Sequence, residues 1–191
     1  MANQPVTGSA EPQQPYLIQP LGKHDRTAFT CGSAPLDQYF RNQVTQDIRR
    51  RVAKCLVAIE VSTGAVAGFY TLSATSLALA ELPDVMSKKL PRYPVVPAVL
   101  MGRLAVSVGA QGHKLGRALL AHAVEYVATS NIGAFAIVVD AKDHRALRFY
   151  EKFGFVEITR QPRRLLLPLG TASALIKPGG VRTGIRCRWT F

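Results

Sequence analysis

Apolar positions in the first half of the chain predict strands around one early helix. Residues 16–21, 55–60 and 65–79 are rich in apolar and β-branched side chains, a composition typical of strands. A Ser-Thr-Gly turn separates the last two runs and indicates a hairpin. Residues 31–54 instead carry apolar side chains at helical spacing, which predicts a helix that begins near Pro35.

The second half of the chain predicts a strand–helix–strand unit. Residues 98–106 and 134–141 are nearly continuous apolar runs, as expected of strands that are covered on both faces. Residues 112–130 have one apolar helical face, formed by Leu115, Leu119, Ala123 and either Tyr126 or Val127. Because a helix joins the two strands, we expect them to be parallel, with a right-handed crossover.

The remaining segments complete one α/β domain. Residues 81–97 contain four prolines and predict a loop or a short helix. A second helix is predicted from His144 and ends at Gly154, and two short antiparallel strands, "FVEI" and "RRLLLPL", follow it. We therefore predict a disordered N-terminal tail over 1–15, one domain over 16–169 and a basic C-terminal tail over 170–191.

The charge of the chain favours a polyanionic partner. There are 24 Lys and Arg residues against 12 Asp and Glu, which gives a formal net charge of +12. Nucleic acid is the first candidate for such a partner and an anionic membrane surface is the second. A basic protein with neither partner is the alternative.

Cysteine spacing and the N-terminal segment restrict the class of protein. Cys31, Cys55 and Cys187 are odd in number and lack the spacing of metal ligands, so we expect no disulfide framework and no metal site. The N-terminal residues lack the basic and apolar regions of a secretory signal. No apolar run approaches the ~18–20 residues that span a bilayer. We expect a cytoplasmic protein without a membrane partner.

The stretch "QGHKLGR" predicts a phosphate-binding helix start. Cations are unfavourable at the positive end of a helix dipole unless an anion lies between them. Glycines allow phosphate oxygens to approach the unpaired amides of the first turn. The candidate ligand residues are Gln111, Gly112, His113, Lys114, Leu115, Gly116 and Arg117. An ordinary glycine-containing loop before a helix is the alternative interpretation.

The order of elements and three short motifs resemble the GCN5-related N-acetyltransferase (GNAT) family. The motifs are "RLAV" on the central strand, "QGHKLG" at the helix start and "FYEKFGF" near the end. The resemblance implies acetyl-CoA as the acetyl donor and a mixed sheet, splayed between two parallel strands and flanked by helices. Gln111 and Gly116 fit the family's helix-start pattern, whereas Lys114 stands where glycine is usual. Lys114 either contacts a phosphate or points to solvent.

One branch of that family resembles the chain over residues 16–169. This branch comprises the toxins of bacterial type II toxin–antitoxin systems, which acetylate the amino group of aminoacyl-tRNA and so inhibit translation. The motifs that carry the resemblance include "GFYTLSATSLALAELP", "VLMGRLAV" and "AKDHRALRFYEKFGF". It implies aminoacyl-tRNA as the acceptor, a homodimer and a ribbon-helix-helix-type antitoxin as partner.

The resemblance also implies the residues of the active site. The backbone of Leu104, Ala105 and Val106 is expected beside the pantetheine arm, with the Val106 amide donating to the thioester oxygen. Tyr150 is the expected acid for the leaving thiolate, because its hydroxyl is protonated at pH 7. Core packing is the alternative role for Tyr150. The remaining cofactor-binding candidates are Asp143, Ala146 and Phe149, and Asp143 is equally explained as a helix N-cap.

A general base is absent from the central strand, which carries Arg103 and no acidic residue. A lysine acceptor, with a pKa of about 10.4, needs such a base, whereas an α-amine with a pKa of roughly 7.7–8.0 needs it less. This favours aminoacyl-tRNA, although a distant glutamate acting through water is also possible. A protein N-terminus, a polyamine or a small amine is the alternative acceptor. A basic binding module without catalysis is the alternative class.

Basic residues in separate segments are candidates for nucleic-acid binding. They would form a surface that follows the phosphate backbone around the active site. A solvated basic face, or an interface with an acidic antitoxin segment, is the alternative. The candidates are Arg41, Arg49, Arg50, Lys88, Lys89, Arg92, Arg145 and Arg148.

Overall fold

A mixed eight-stranded sheet, in the order β6-β7-β5-β4-β3-β2-β1-β8, carries the fold in a computed structural model. The structure describes residues 15–158 and 161–172, and the backbone alone of 185–187. The predicted N-terminal tail lies almost entirely outside the described residues, as does most of the predicted C-terminal tail.

The elements follow one another in an order close to the predicted one. A π-helical turn, Tyr39–Gln43, joins the first two helices into one continuous segment. The elements are β1 (Tyr16–Pro20), α1 (Ala34–Gln38), α2 (Val44–Arg49), β2 (Lys54–Glu60), β3 (Val66–Ala78), α3 (Asp84–Ser87), β4 (Val95–Val106), α4 (Leu115–Ala128), β5 (Ala136–Asp140), α5 (His144–Glu151), β6 (Val156–Glu157), β7 (Arg164–Pro168) and β8 (Ile185–Cys187).

Strand pairing confirms the predicted hairpin and the parallel pair. β2 and β3 are antiparallel, β3 and β4 are antiparallel, and β4 pairs with β5 in parallel. β6 and β7 are antiparallel, as expected of the last two strands of the domain. β8, within the segment assigned to the C-terminal tail, pairs in parallel with β1 at the sheet edge.

The two parallel strands separate halfway along β4, which confirms the predicted splay. Their pairing runs from Ala98 opposite Ala136 to Met101 opposite Val139 and goes no further. The β3–β4 register shifts at this point, so that Gly102 is an extra residue on β4. Such a bulge bends a strand locally. The second half of β4 therefore pairs with β3 but leaves its other edge open.

Helices pack on both faces of the sheet. α4 lies against β3 and β4, and its predicted apolar face is buried at Leu115, Leu119, Ala123 and Val127. On the opposite face, the helical segment 34–49 packs Tyr39 and Phe40 into a separate apolar cluster with Phe69. The rings of Phe40 and Phe69 are stacked, with centroids 4.1 Å apart.

β4 is not covered along its whole length on both faces, contrary to the expectation from its apolar run. Its second half includes exposed Gly102 and half-buried Leu104 and Val106. These residues border the opening between the two parallel strands. The apolar composition reflects their place along this opening as well as contact with the core.

Candidate active site

A cleft of about 810 Å³ lies where β4 and β5 separate. β4 contributes residues 101–106 to its lining, and the loop that precedes α1 contributes 31–33. The segment before α4 and the first turn of α4 contribute most of residues 110–117. Asp143 and Tyr150 border the cleft from α5 and the turn before it. The separation of the strands thus brings distant parts of the chain together.

The backbone of β4 directs peptide groups into the cleft. The Ser107 amide donates to the Ala67 carbonyl at 2.8 Å, so Ser107 faces β3. Because hydrogen-bonding directions alternate along an antiparallel strand, the peptide groups of Leu104 and Val106 face the open side. The Val106 carbonyl indeed accepts from the Gln111 side chain there. The Val106 amide is therefore placed to donate to an oxygen in the cleft.

The loop before α4 has the backbone of an anion-binding turn. Gly112 has φ +83° and Lys114 has φ +62°, and the helix begins directly afterwards at Leu115. Left-handed residues in such a turn direct successive amides towards one point. Lys114 adopts the left-handed conformation that favours glycine, which agrees with its place where the family pattern has glycine.

Nearly all of the predicted cofactor-binding residues border the same cleft. His113 is the exception, because it is exposed and does not contribute to the lining. The Arg117 guanidinium carbon lies 5.6 Å from the centroid of the Phe153 ring. The residues that border the cleft are Leu104, Ala105, Val106, Gln111, Gly112, Lys114, Leu115, Gly116, Arg117, Asp143, Ala146 and Phe149.

The Gln111 side chain links the end of β4 to the loop before α1, a contact that the sequence did not indicate. Its side-chain amide donates to the Cys31 carbonyl at 3.0 Å and to the Val106 carbonyl at 3.1 Å. The Cys31 amide in turn donates to the Asp37 carboxylate at 2.8 Å. Asp37 is buried and also accepts from the Thr30 hydroxyl at 2.9 Å. These bonds fix the loop before α1 against the end of β4.

Tyr150 both packs in the core and borders the cleft. It is only 8% exposed, and its ring contacts Phe149 and Phe155 with centroids 5.2 Å and 5.5 Å away. Burial raises the pKa of its hydroxyl to about 12. The phenol therefore stays protonated at neutral pH and is able to donate. The two roles considered for Tyr150 are compatible.

The carboxylates that border the cleft both have partners. Asp143 is the N-cap of α5 and accepts from the Ala146 amide at 2.8 Å, as the structural interpretation predicts. That hydrogen bond holds the pKa of the Asp143 carboxyl below its usual value. Asp140 lies 3.2 Å from the Arg164 guanidinium. Among the described cleft residues these are the only carboxylates.

Arg103 borders the cleft and was not among the candidate site residues. Its guanidinium carbon lies 3.4 Å from the centroid of the Tyr39 ring. The Tyr39 hydroxyl donates to Asp47 at 2.9 Å, and this hydrogen bond helps to fix the position of the ring. An arginine within an otherwise apolar strand was the available sequence signal, because a charged residue there needs a polar surrounding.

The candidate nucleic-acid residues are exposed, but they do not all lie beside the cleft. All eight are on the surface of the described structure. Arg145 contributes to the cleft lining, whereas the other seven do not. Lys88 lies 4.0 Å from Asp84 in an exposed ion pair. Their part in nucleic-acid binding stays a prediction.

Two features are absent from the described residues. No group of three or more His, Cys, Asp or Glu side chains there has the arrangement of a metal site. In that same part of the chain, no helix combines the length and hydropathy that crossing a membrane requires.

Comparison with known proteins identifies the family to which the chain belongs. The sequence profile described as "Acetyltransferase (GNAT) family" matches residues 24–155, which include β2 to α5 and the lining of the cleft. The chain belongs to the GNAT acetyltransferase family. It is therefore an acetyltransferase, and acetyl-CoA is its acetyl donor.

Two curated relatives are named as toxins. A "tRNA-acetylating toxin" of Mycobacterium tuberculosis is 35% identical over 154 residues, which cover 80% of this chain and 90% of the relative. A "Probable toxin TacT" of Sinorhizobium fredii is 27% identical over 187 residues, which cover 92% of this chain and 99% of the relative.

Solved structures of similar proteins superpose on the GNAT domain. AtaT complexed with acetyl-methionyl-tRNAfMet has a TM-score of 0.78 and 26% identity, and the match covers 84% of this chain and 98% of that one. AtaTR bound with AcCoA has a TM-score of 0.73 and 26% identity over 84% of this chain and 97% of that one.

The residues of this GNAT site fit acetyl-CoA. A Cβ atom built on Gly112 meets no heavy atom within 4 Å, so the loop before α4 is open for a phosphate group. The amides of the first turn of α4 lack intrahelical partners and suit the pyrophosphate. The Val106 amide faces the cleft, where a thioester oxygen needs a donor.

Proposed function

We propose that the protein transfers the acetyl group of acetyl-CoA to the α-amino group of an aminoacyl-tRNA and so inhibits translation. The similarity to a relative named as a tRNA-acetylating toxin supports this acceptor, at 35% identity over most of both chains. The AtaT complex with acetyl-methionyl-tRNAfMet supports it independently, through the same fold around the cleft.

The observation that carries the choice of acceptor is that the two carboxylates bordering the cleft, Asp140 and Asp143, both have partners. Asp143 caps α5 through a hydrogen bond that holds its pKa below the usual value, and Asp140 pairs with Arg164, so both carboxylates already have a structural role. An amine with a pKa of about 10.4 would stay protonated in such a site, whereas an α-amine with a pKa of roughly 7.7–8.0 is partly neutral without help. Aminoacyl-tRNA offers such an amine.

In the proposed reaction, the neutral amine attacks the thioester carbonyl, a C–N bond forms and the C–S bond breaks. The Val106 amide donates to the oxygen on which negative charge develops, which stabilises the transition state. Tyr150 donates its hydroxyl proton to the departing thiolate sulfur. The amine loses its proton to water, and solvent returns a proton to Tyr150.

The proposal extends to the partners and the compartment. We infer a homodimer in the cytoplasm that is neutralised by a ribbon-helix-helix-type antitoxin. The net charge of +12 supports an acidic partner segment, because opposite charges accelerate and strengthen association. Sedimentation of the purified protein tests the dimer. A measured mass that corresponds to one chain would contradict it.

Transfer of labelled acetyl groups tests the acceptor. The purified protein is incubated with radiolabelled acetyl-CoA and total charged tRNA, with uncharged tRNA as the matched control. We expect label only on the charged tRNA, released as an N-acetyl amino acid by mild base and abolished by prior RNase treatment. Label on protein or on small amines, with none on charged tRNA, would assign the acceptor to the alternative class.

A further inference from the structure

Arg103 lies on the face of β4 opposite the one that carries Tyr150. Leu104 and Val106 pack against the apolar cluster that contains Tyr150. Ala105 packs into the other cluster, with Tyr39. Because side chains alternate along a strand, Arg103 shares the face of Ala105. The contact of Arg103 with the Tyr39 ring agrees with this placement.

The Arg103 guanidinium lies on the Tyr39 ring, and no described residue accepts a hydrogen bond from it. The distance of 3.4 Å from its carbon to the Tyr39 ring centroid means that the guanidinium lies on the face of the ring. All five N–H donors of an arginine lie in the guanidinium plane, so stacking leaves them available. Tyr39 is buried and bonded to Asp47, which keeps the ring in place.

Arg103 has no carboxylate partner among the described residues. The ion pairs in that part of the chain join Lys88 to Asp84 and Arg164 to Asp140. A guanidinium that borders a cleft and has no carboxylate partner there is suited to an anionic ligand, and its paired donors match a phosphate group. The loop before α4 supplies a separate anion site for the pyrophosphate.

The backbone near Tyr39 is unusual. Tyr39 is the first residue of the π-helical turn Tyr39–Gln43, between α1 and α2. π-Helical turns are rare and occur frequently at functional sites. This turn carries the ring on which Arg103 lies.

We propose that Arg103, oriented by stacking on Tyr39, binds a phosphodiester group next to the aminoacylated 3′ end of the tRNA. This inference rests on the proposed function and names a residue that recognises its acceptor. Arg103 is then a specificity-determining residue, since it distinguishes an amine joined to a nucleic acid from a free amine. Tyr39 is a positioning residue that acts through it.

Two acceptors with the same amine separate this role from a structural one. The kcat/KM of the wild-type, Arg103→Met and Arg103→Lys proteins is measured with an aminoacyl-tRNA and with 3′-aminoacyl-adenosine, which has no phosphate. We expect Arg103→Met to lower kcat/KM for the tRNA by roughly tenfold to a hundredfold, as loss of a charge-assisted hydrogen bond predicts. The value for the adenosine acceptor and the KM for acetyl-CoA stay unchanged.

The salt dependence of tRNA binding gives a second measurement. Removal of one phosphate contact reduces the slope of log affinity against log salt by about one. We expect this for Arg103→Met and a weaker loss of affinity for Arg103→Lys and Tyr39→Leu. Tyr39→Phe should lose less affinity than Tyr39→Leu, because it keeps the ring and removes only the hydrogen bond to Asp47. Arg51→Met removes an exposed arginine away from the cleft lining and serves as the control for charge alone.

The outcomes distinguish the two proposals. If the wild-type protein acetylates charged tRNA and Arg103→Met does so equally well, the role of Arg103 is wrong while the proposed function stands. Equal losses with both acceptors and an unchanged salt slope would also overturn it and assign Arg103 to the structure of the cleft. If the wild-type protein does not acetylate charged tRNA, both proposals are wrong.

Discussion

Gln111 donates its side-chain amide to the carbonyl of Val106, the residue whose own amide faces the cleft. The same Gln111 amide reaches the Cys31 carbonyl. One exposed side chain therefore joins the loop before α4, the end of β4 and the loop before α1. This contact places the candidate phosphate site and the candidate thioester donor at a fixed separation.

Replacement of Gln111 by glutamate should disturb both ends of the cleft. The carboxylate has no N–H to offer the two carbonyls and repels them, so we expect kcat/KM for acetyl-CoA to fall by about tenfold, in the range expected for the loss of one or two hydrogen bonds. Steady-state kinetics with acetyl-CoA as the varied substrate measures this. Gln38→Glu adds the same charge at an exposed position, and an equal effect there would contradict the bracing role.

Tyr150→Phe should remove the acid while leaving the core intact. The substitution keeps the ring that contacts Phe149 and Phe155. We expect kcat to fall by roughly 10²- to 10⁴-fold, the usual contribution of a general acid, with unchanged binding of acetyl-CoA. Calorimetry of acetyl-CoA binding and single-turnover kinetics measure the two quantities. Tyr93→Phe, at an exposed tyrosine, is the control, and wild-type kcat in Tyr150→Phe would exclude the acid role.

The pH profile should report the acceptor amine and not the tyrosine. Burial raises the pKa of Tyr150 to about 12, so its neutral form persists as the pH rises through 9. Activity should therefore increase with pH as the amine loses its proton and reach a plateau above about 8, the pKa range of an α-amine. Rates measured between pH 6 and 9 test this. A continued tenfold rise per pH unit up to 9 would indicate a lysine-like acceptor instead.

Lys114→Gly should stabilise the protein. Lys114 has φ +62°, a conformation that costs a non-glycine residue roughly 1 kcal/mol. We expect the free energy of unfolding to rise by up to about 1 kcal/mol in denaturant titrations. Because the Lys114 side chain is exposed, the KM for acetyl-CoA should change by less than about threefold. A larger rise would assign the ammonium group to a phosphate contact.

Gly68→Ala should destabilise the contact between α4 and the sheet. A Cβ atom at Gly68 would lie 2.9 Å from both the Ala105 carbonyl oxygen and a Leu119 methyl group. Overpacking of this kind costs about 1–3 kcal/mol. Chemical denaturation measures the loss, with Gly133→Ala as the control, because a Cβ atom there meets nothing within 4 Å. Equal stability of the two variants would show that α4 moves away without cost.

The sequence predicted the elements and the family because the signals for them are local. Apolar periodicity placed α4 and the strands around it, and the glycine-rich stretch placed the loop at its start. The left-handed conformation of Lys114 could not be predicted from the sequence. A lysine is unusual at positive φ, and the residue pattern alone leaves its backbone path undetermined.

The contacts that were missed join residues far apart in the chain. The contact of Gln111 with Cys31 and the stack of Arg103 on Tyr39 each depend on how α1 and the adjoining π-helical turn pack against the sheet. Periodicity does not encode such packing. The bulge at Gly102 could not be predicted either, because it depends on how β4 pairs with β3.

The alternation of β4 has an evolutionary consequence. The groups of Leu104 and Val106 that face the cleft are peptide groups of the strand, which persist under any substitution that keeps the strand paired. The side chains of Leu104 and Val106 pack against the apolar cluster on one face of the strand, so other apolar side chains could replace them there. A chemical step that rests on peptide groups in this way would resist mutation, because replacing a side chain leaves the peptide groups of a paired strand in place.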